Sequence, residues 1–257
     1  MKISEVLAKK YGISKRTAKR YIKSNLVSTK NKIIKKDIDI SSENDVLLNI
    51  HQENLKYDMK NFLLKISGDI IFLYKPPFMH TERLRLEDGI TIYDIVKDNF
   101  TGFKLISRLD FETDGVIPAI RENYHIKKIL KEYIALVHGK IDKQISLFNK
   151  IDAYKRKKVK VLNEITNNKT EIQPLRKFNE FTLVKVSVKE ATRHQIRALL
   201  SHINHPIAGD KLYGKKDNFD RLMLRCQRVN INDTICSSKY LKRFIRICKD
   251  KAFLKSN

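Results

Sequence analysis

The spacing of apolar positions predicts two helices at the start of this chain. Ile3, Val6, Leu7 and Tyr11 recur at helical intervals, and Gly12 ends the run. Ser14 is an N-cap candidate for a second helix, with Ala18, Tyr21 and Ile22 on its apolar side. The following LVSTKNKIIKKDIDISSENDVLLNI reads as short strands and turns, with Lys30-Asn31-Lys32 at a hairpin tip. Residues 51–66, HQENLKYDMKNFLLKI, read as a connector containing a short ordered piece.

From Gly68 onward the pattern is that of one larger domain. DIIFLY is a strand that ends at the turn Lys75-Pro76-Pro77, TIYDIVKDNF is helical, and FKLISR is a strand leading to Asp110. YHIKKIL reads as a short basic helix, KEYIALVHGKI as a strand containing Tyr133, KRKKVKVL as a basic strand or loop, and FTLVKVSV as a strand. TRHQIRALLSHI is an amphipathic helix with Ile196, Leu199, Leu200 and Ile203 on its apolar face; a turn-rich NHPIAGDKLYG and an apolar RLML follow. Helices and strands alternate irregularly, which predicts an α+β fold with a mixed, mainly antiparallel sheet. The expected division is a small domain at 1–52, a connector at 53–67 and a large domain at 68–257.

Charge narrows the partner. Lys and Arg number 53 against 29 Asp and Glu, a net charge of +24, and a polyanion is the simplest physical reason for such an excess. From Met1 to Lys36 the one acidic residue is Glu5, against twelve Lys and Arg. Lys15, Arg16, Lys19, Arg20 and Lys23 fall on the second predicted helix, as a phosphate-tracking surface requires. No apolar run approaches the roughly 20 residues of a spanning helix, which argues against a membrane partner. MKISEVLAKKYG lacks the apolar core of a signal peptide, and Cys226, Cys236 and Cys248 form no C-x-x-C pair, so the expected setting is the reducing cytosol. Nucleic acid is the expected partner.

Several chemistries find no support. There is no Gly-rich phosphate loop and no metal-ligand spacing around His194, His202 and His205; neither Ser107 nor Ser201 lies in a nucleophile elbow. What remains is a carboxylate among arginines, Asp110 in ISRLDFETDGVIPAI, with Arg108 two residues before it. On a strand those two share one face. Phe-Glu-Thr-Asp-Gly after it is turn chemistry, with Gly115 suited to a turn. Nearby positive charge favours an ionised carboxylate, as a nucleophile or general base needs, but a turn-capping ion pair satisfies the same pattern. The residues alone leave both readings open.

Two resemblances extend this reading. SKRTAKRYIKSNLV, KNKIIKK and NDVLLNI resemble the S4-like RNA-binding domain, although Asn31 and Lys32 replace glycines common at its hairpin. In order and spacing, ISRLDFETDGV, KEYIALVHGK, ATRHQIRALLSHINHPIAGDKLYG and RLMLRCQRV resemble the motifs of RNA pseudouridine synthases of the RluA type. The second resemblance implies Asp110 as the catalytic aspartate, Tyr133 as a tyrosine packed on the target base and aiding proton loss from C5, and Arg197 as partner of the aspartate. It implies substrate contacts from Arg108, Ile196, Arg193, His194 and Gln195, with Arg108 filling the place of a flipped nucleotide. Ser107, Asp114, Ala191 and Thr192 depart from the usual His, Ser, Gly and Arg, which bears on loop geometry and on which phosphates are held. The expected protein is a cofactor-free, metal-free monomer that isomerises uridine in RNA, ribosomal RNA ahead of transfer RNA. The rival readings are a non-catalytic RNA-binding or ribosome-assembly factor and, more weakly, a DNA-binding repressor.

Overall fold

The structure, a computed structural model, describes residues 1–11, 15–23, 27–29, 32–40, 46–48, 57–84, 88–154 and 157–253. Gly12, Ser14, Lys30, Asn31 and the side chain of Arg20 lie outside the described residues, as does the first part of the expected connector. By packing, the chain divides into one unit of Met1–Lys56 with Arg83–Gly89 and another of Tyr57–Glu82 with Ile90–Asn257.

In the first unit, helices α1 (Ile3–Tyr11) and α2 (Lys15–Lys23) precede short strands β1 (Val27–Thr29), β2 (Lys32–Ile33) and β3 (Val46–Leu48). The strands form an antiparallel sheet in the order β2-β1-β3. Ile3, Val6 and Leu7 of α1 meet Ala18, Tyr21 and Ile22 of α2 in one buried cluster with Val27, Ile34 and Val46. That leaves Lys15, Arg16, Lys19 and Lys23 on the exposed side of α2, where they line a shallow open concavity.

The second unit is built on a ten-stranded sheet. In chain order its elements are β4 (Leu63–Ser67), β5 (Ile70–Lys75), α3 (Ile92–Asn99), β6 (Phe103–Leu105), β7 (Asp114–Arg121), β8 (Ile129–His138), β9 (Ile145–Asp152) and β10 (Lys160–Phe178). There follow β11 (Phe181–Val188), α4 (Gln195–His202), β12 (Leu224–Ile231), β13 (Thr234–Ser237) and α5 (Leu241–Phe253). The sheet runs β4-β5-β7-β12-β8-β11-β10-β9, with β6 on β7 and β13 on β12. Among the described pairs β7–β12 is parallel and the others antiparallel, so the fold is α+β with a mixed, mainly antiparallel sheet. Central strands are apolar on both faces, as in DGVIPAIR of β7, where every residue except Arg121 is buried.

Three local readings are corrected. YHIKKIL is not a helix: the Asn232 side chain accepts from the Lys127 and Lys128 amides and donates to the Tyr124 hydroxyl and the His125 carbonyl, and Ile129 and Leu130 enter β8. A run that short nucleates helix poorly, and tertiary hydrogen bonds decide its course. Within 53–67, Leu63–Ser67 is an edge strand paired with β5 rather than connector. Asp114 and Gly115, expected in a turn, open β7.

Candidate active site

Asp110 lies within the segment that leaves β6 after Leu105 and runs to the start of β7 at Asp114. The Thr81 hydroxyl fixes the residue before it, donating to the Leu109 carbonyl (3.0 Å) and accepting from the Leu109 amide (3.1 Å). The residue after it is fixed through the Phe111 carbonyl, which accepts from the Phe78 amide (2.8 Å) and from Nζ of Lys75 (3.2 Å). Fully buried Lys75 also donates to the carbonyls of Pro76 and Met79, so three acceptors meet its three donors. Burial pushes its pKa down to about 7, against the pull of Asp114 and Asp110. The backbone carrying Asp110 is thus held on both sides.

Residues 106–110 are not a strand, so the expectation that Arg108 and Asp110 share a strand face does not hold. Arg108 is exposed and donates to Glu82 (3.3 Å). Asp114 is nearly inaccessible and accepts from Arg225, Arg221 (3.0 Å) and the Tyr74 hydroxyl (3.1 Å). A carboxylate at a place where the resemblance leads one to expect serine is accommodated because two guanidinium groups balance its charge. Gly115 has φ +131°, and a Cβ there would lie 2.0 Å from the Cys226 carbonyl oxygen, so glycine permits the close parallel pairing of β7 with β12.

Helix α4 supplies the partner of Asp110. Arg197, buried, donates from Nη1 to the Asp110 carboxylate (2.8 Å) and from Nε and Nη2 to the two oxygens of Asp210 (2.8 Å each). Asp210 is also capped by the amides of Leu212 and Tyr213. Burial opposes the Arg197 charge, but the hydrogen bond and charge of Asp210, followed by Asp110, outweigh it and raise its pKa. Burial likewise works against the Asp210 carboxylate, yet Arg197 holds it below the usual range.

His194 stands at the N-cap of α4 with left-handed backbone (φ 56°). Its Nδ1 is 3.1 Å from the Tyr213 hydroxyl, which accepts from the Val159 amide (2.7 Å). The His194 Nε2 lies 3.7 Å from the Asp110 carboxylate. Burial lowers the His194 pKa; Asp110 opposes this, while Arg197 and Arg193 reinforce it.

Of the other residues singled out from sequence, Tyr133 and Ile196 are buried, each 5% exposed. Tyr133 faces Cys226 across the β8–β12 pairing; burial first, then Cys226 and the charge of Asp110, push its pKa far up. Gln195 is turned to Thr192 and Thr170, bracing the loop before α4 against β10. Exposed Arg193 reaches the Ala153 carbonyl (3.3 Å). Lys15, Arg16 and Lys19 belong to α2, where Lys15 pairs with Glu5 and Lys19 lies 3.9 Å from Asp37. Asp210, Tyr213, Thr81 and Lys75 were not singled out. Asp210 and Tyr213 stand in the quoted GDKLYG, but spacing does not tell a buried clamp from a polar turn.

Residues 69–202, which include Asp110, Tyr133 and Arg197, match the RNA pseudouridylate synthase family. The chain belongs to this family. As an RNA pseudouridine synthase it is an isomerase of uridine in RNA. It is 32% identical over 241 residues to an "Uncharacterized RNA pseudouridine synthase" of Helicobacter pylori (strain ATCC 700392 / 26695), covering 89% of this chain and 92% of that protein. It is 27% identical over 271 residues to "Ribosomal large subunit pseudouridine synthase D" of Borreliella burgdorferi (strain ATCC 35210 / DSM 4680 / CIP 102532 / B31), covering 91% and 82% of the two chains. Among solved structures, "Human RNA Pseudouridylate Synthase Domain Containing 1" superposes with TM-score 0.53 at 19% identity over 71% of this chain and 84% of that one, a likeness of fold.

Proposed function

We propose that this synthase converts a uridine of structured ribosomal RNA to pseudouridine, with Asp110 as the reacting carboxylate. One observation carries the assignment: Asp110 keeps 23% of its side chain open to solvent while bound to an arginine that a fully buried aspartate holds in place. Structural ion pairs do not need an open member. Reaction at a carboxylate does.

In this reading the target nucleotide leaves its stack, because the glycosidic carbon is out of reach inside a helix. The C1′–N1 bond breaks, the base turns, C5 bonds to C1′, and the proton lost from C5 is balanced by one gained at N1. Addition of a carboxylate to C1′ and removal of the C2′ proton both place Asp110 against the ribose. Arg197 orients the carboxylate, and Nε2 of His194 faces it from a second side. Tyr133, a phenol whose pKa is raised, suits packing against the base better than accepting a proton. No step calls for a cofactor.

The ribosomal preference is supported by the name of the Borreliella burgdorferi relative, a ribosomal large subunit pseudouridine synthase, and by the net charge of +24. We read residues 1–52 as an S4-like RNA-binding domain that supplies affinity, with Lys15, Arg16, Lys19 and Arg20 as its phosphate contacts. The test is pseudouridine mapping in cells with and without the gene, followed by single-turnover assay of the mapped RNA with wild type and Asp110→Asn. Asparagine keeps the shape and removes the carboxylate, so conversion is expected to vanish while folding and RNA binding persist. A folded Asn variant that converts at the parental rate would sink the mechanism; wild type with no conversion on any RNA would favour the non-catalytic RNA-binding reading.

A further inference from the structure

The residue after Asp110 carries an aromatic surface that the chemistry above does not use. Phe111 is 42% exposed and Phe78 52% exposed, and their rings meet edge to face with centroids 5.9 Å apart. On another side of Phe111 lies the His80 ring, 4.5 Å away and tilted by 34°. Phe78 has φ 62°, a left-handed conformation that is a genuine outlier for a bulky side chain. Two large apolar rings are therefore presented to solvent, one on strained backbone, where a smaller residue would relieve both conditions. The mounting is rigid. The Phe78 amide donates to the Phe111 carbonyl, and the Lys75 ammonium joins that carbonyl to those of Pro76 and Met79.

We infer that Phe78 and Phe111, with His80 alongside Phe111, are a stacking platform for an unpaired nucleobase directly next to the isomerised uridine. This rests on the function proposed above. A uridine presented to Asp110 brings its covalent neighbours past Phe111, and a base is the flat apolar group that such a neighbour offers. Arg108, two residues before Asp110 in the chain, is exposed and paired with Glu82, a cation that a backbone phosphate can engage. Two part-exposed rings fall far short of the about 800 Å² per partner of a stable protein interface, so a second copy of the chain fits the patch less well. Because stacking is tolerant of base identity, the platform requires an unpaired neighbour rather than a particular one.

The test uses the RNA that wild type converts, compared with versions carrying an abasic ribose at the 5′ or the 3′ neighbour of the target. For wild type, one of the two abasic RNAs is expected to bind about tenfold or more weakly, the range of one lost base stack. The double variant Phe78→Gly/Phe111→Ala is expected to bind the intact RNA that much more weakly and to show no further loss with the abasic one. Phe78→Gly alone, which relaxes the positive φ, shows an intermediate loss with undiminished thermal stability. Equal binding of intact and abasic RNAs by wild type overturns the platform, as does a double variant that still discriminates between them. Dimeric elution of wild type that the double variant abolishes would reassign the patch to self-association and also overturns it. If wild type converts uridine yet ignores the abasic change, the platform alone falls; if it converts no RNA, the proposed function falls and the platform with it.

Discussion

Asp210 grips the Arg197 guanidinium by Nε and Nη2, and Nη1 is thereby aimed at Asp110. The fork makes Asp210 a positioning residue even though it lies out of reach of solvent. Replacing Asp210 with Asn removes one charge of a buried network, and we expect a stability loss of about 3 kcal/mol together with slower isomerisation. Arg197→Met strands two carboxylates, Asp210 and Asp110, and is expected to cost more in both respects. Urea denaturation beside single-turnover rates measures the pair of effects. An Asp210→Asn enzyme of parental rate would remove the orienting role.

His194 gives a pH signature. Its pKa is lowered in the folded protein, so between that value and the ordinary 6.5 the unfolded chain binds more protons. The stability that the neutral imidazole contributes is present above about pH 6.5 and is lost as pH falls through the folded value. Protonation puts a hydrogen on both ring nitrogens, Nδ1 beside the Tyr213 hydroxyl and Nε2 facing Asp110. Melting curves at pH 7 and pH 5 are expected to show wild type losing more stability than His194→Gln. Parallel losses would contradict the assignment of a neutral ring.

Gly115 and Gly68 separate close approach from backbone preference. Both have positive φ, but a Cβ at Gly68 meets nothing within 4 Å, whereas at Gly115 it would run into the Cys226 backbone. Gly68→Ala is expected to cost about 1 kcal/mol, the backbone term alone. Gly115→Ala must push β7 and β12 apart, at a cost on the order of 3 kcal/mol or more. Chemical denaturation of the two variants decides it; equal losses would mean the strand pairing yields easily.

The basic face of α2 is expected to appear in salt dependence. Changing Lys15, Arg16 and Lys19 to Gln removes three cations from that face. Lys15 already pairs with Glu5 and Lys19 lies near Asp37, so the slope of log affinity against log salt is expected to fall by roughly 2 or somewhat less, at about 0.7–0.9 per phosphate contact. Binding titrations from low to moderate salt measure it. An unchanged slope would place the phosphate contacts elsewhere.

Legibility in the sequence followed the range of the interactions. Helix α4 was readable because Ile196, Leu199 and Leu200 sit on one face, and β5, β8 and β11 because their apolar runs are dense. Strand β9 and all of β10 beyond the end of KRKKVKVL escaped: NEITNNKTE within β10 is polar enough to read as loop, and sheet pairing rather than its own pattern makes it strand. Helix α5 was also passed over, although Phe244, Cys248 and Ala252 are buried at four-residue intervals. At the site, the pairing of Asp110 with Arg197 joins residues 87 apart and came from motif resemblance. Asp114 was misread because nothing local reveals Arg221 and Arg225, more than a hundred residues away.

Strand β12 lies between β7 and β8, which are neighbours in the chain. During synthesis the sheet therefore begins as two halves, β4-β5-β7-β6 and β8-β11-β10-β9; β6 covers Ala119–Arg121 of β7, and the β7 edge at Asp114 and Gly115 and the β8 edge at Ile129–Ala135 await β12. The halves cannot close until residues 224–231 have left the ribosome and filled the gap. Until then the nascent enzyme carries two incompletely paired strand edges, the condition under which chains pair wrongly or recruit chaperones. Translation that stops short of β12 leaves every candidate catalytic side chain made but the sheet still divided, so such fragments are expected to aggregate rather than retain partial activity.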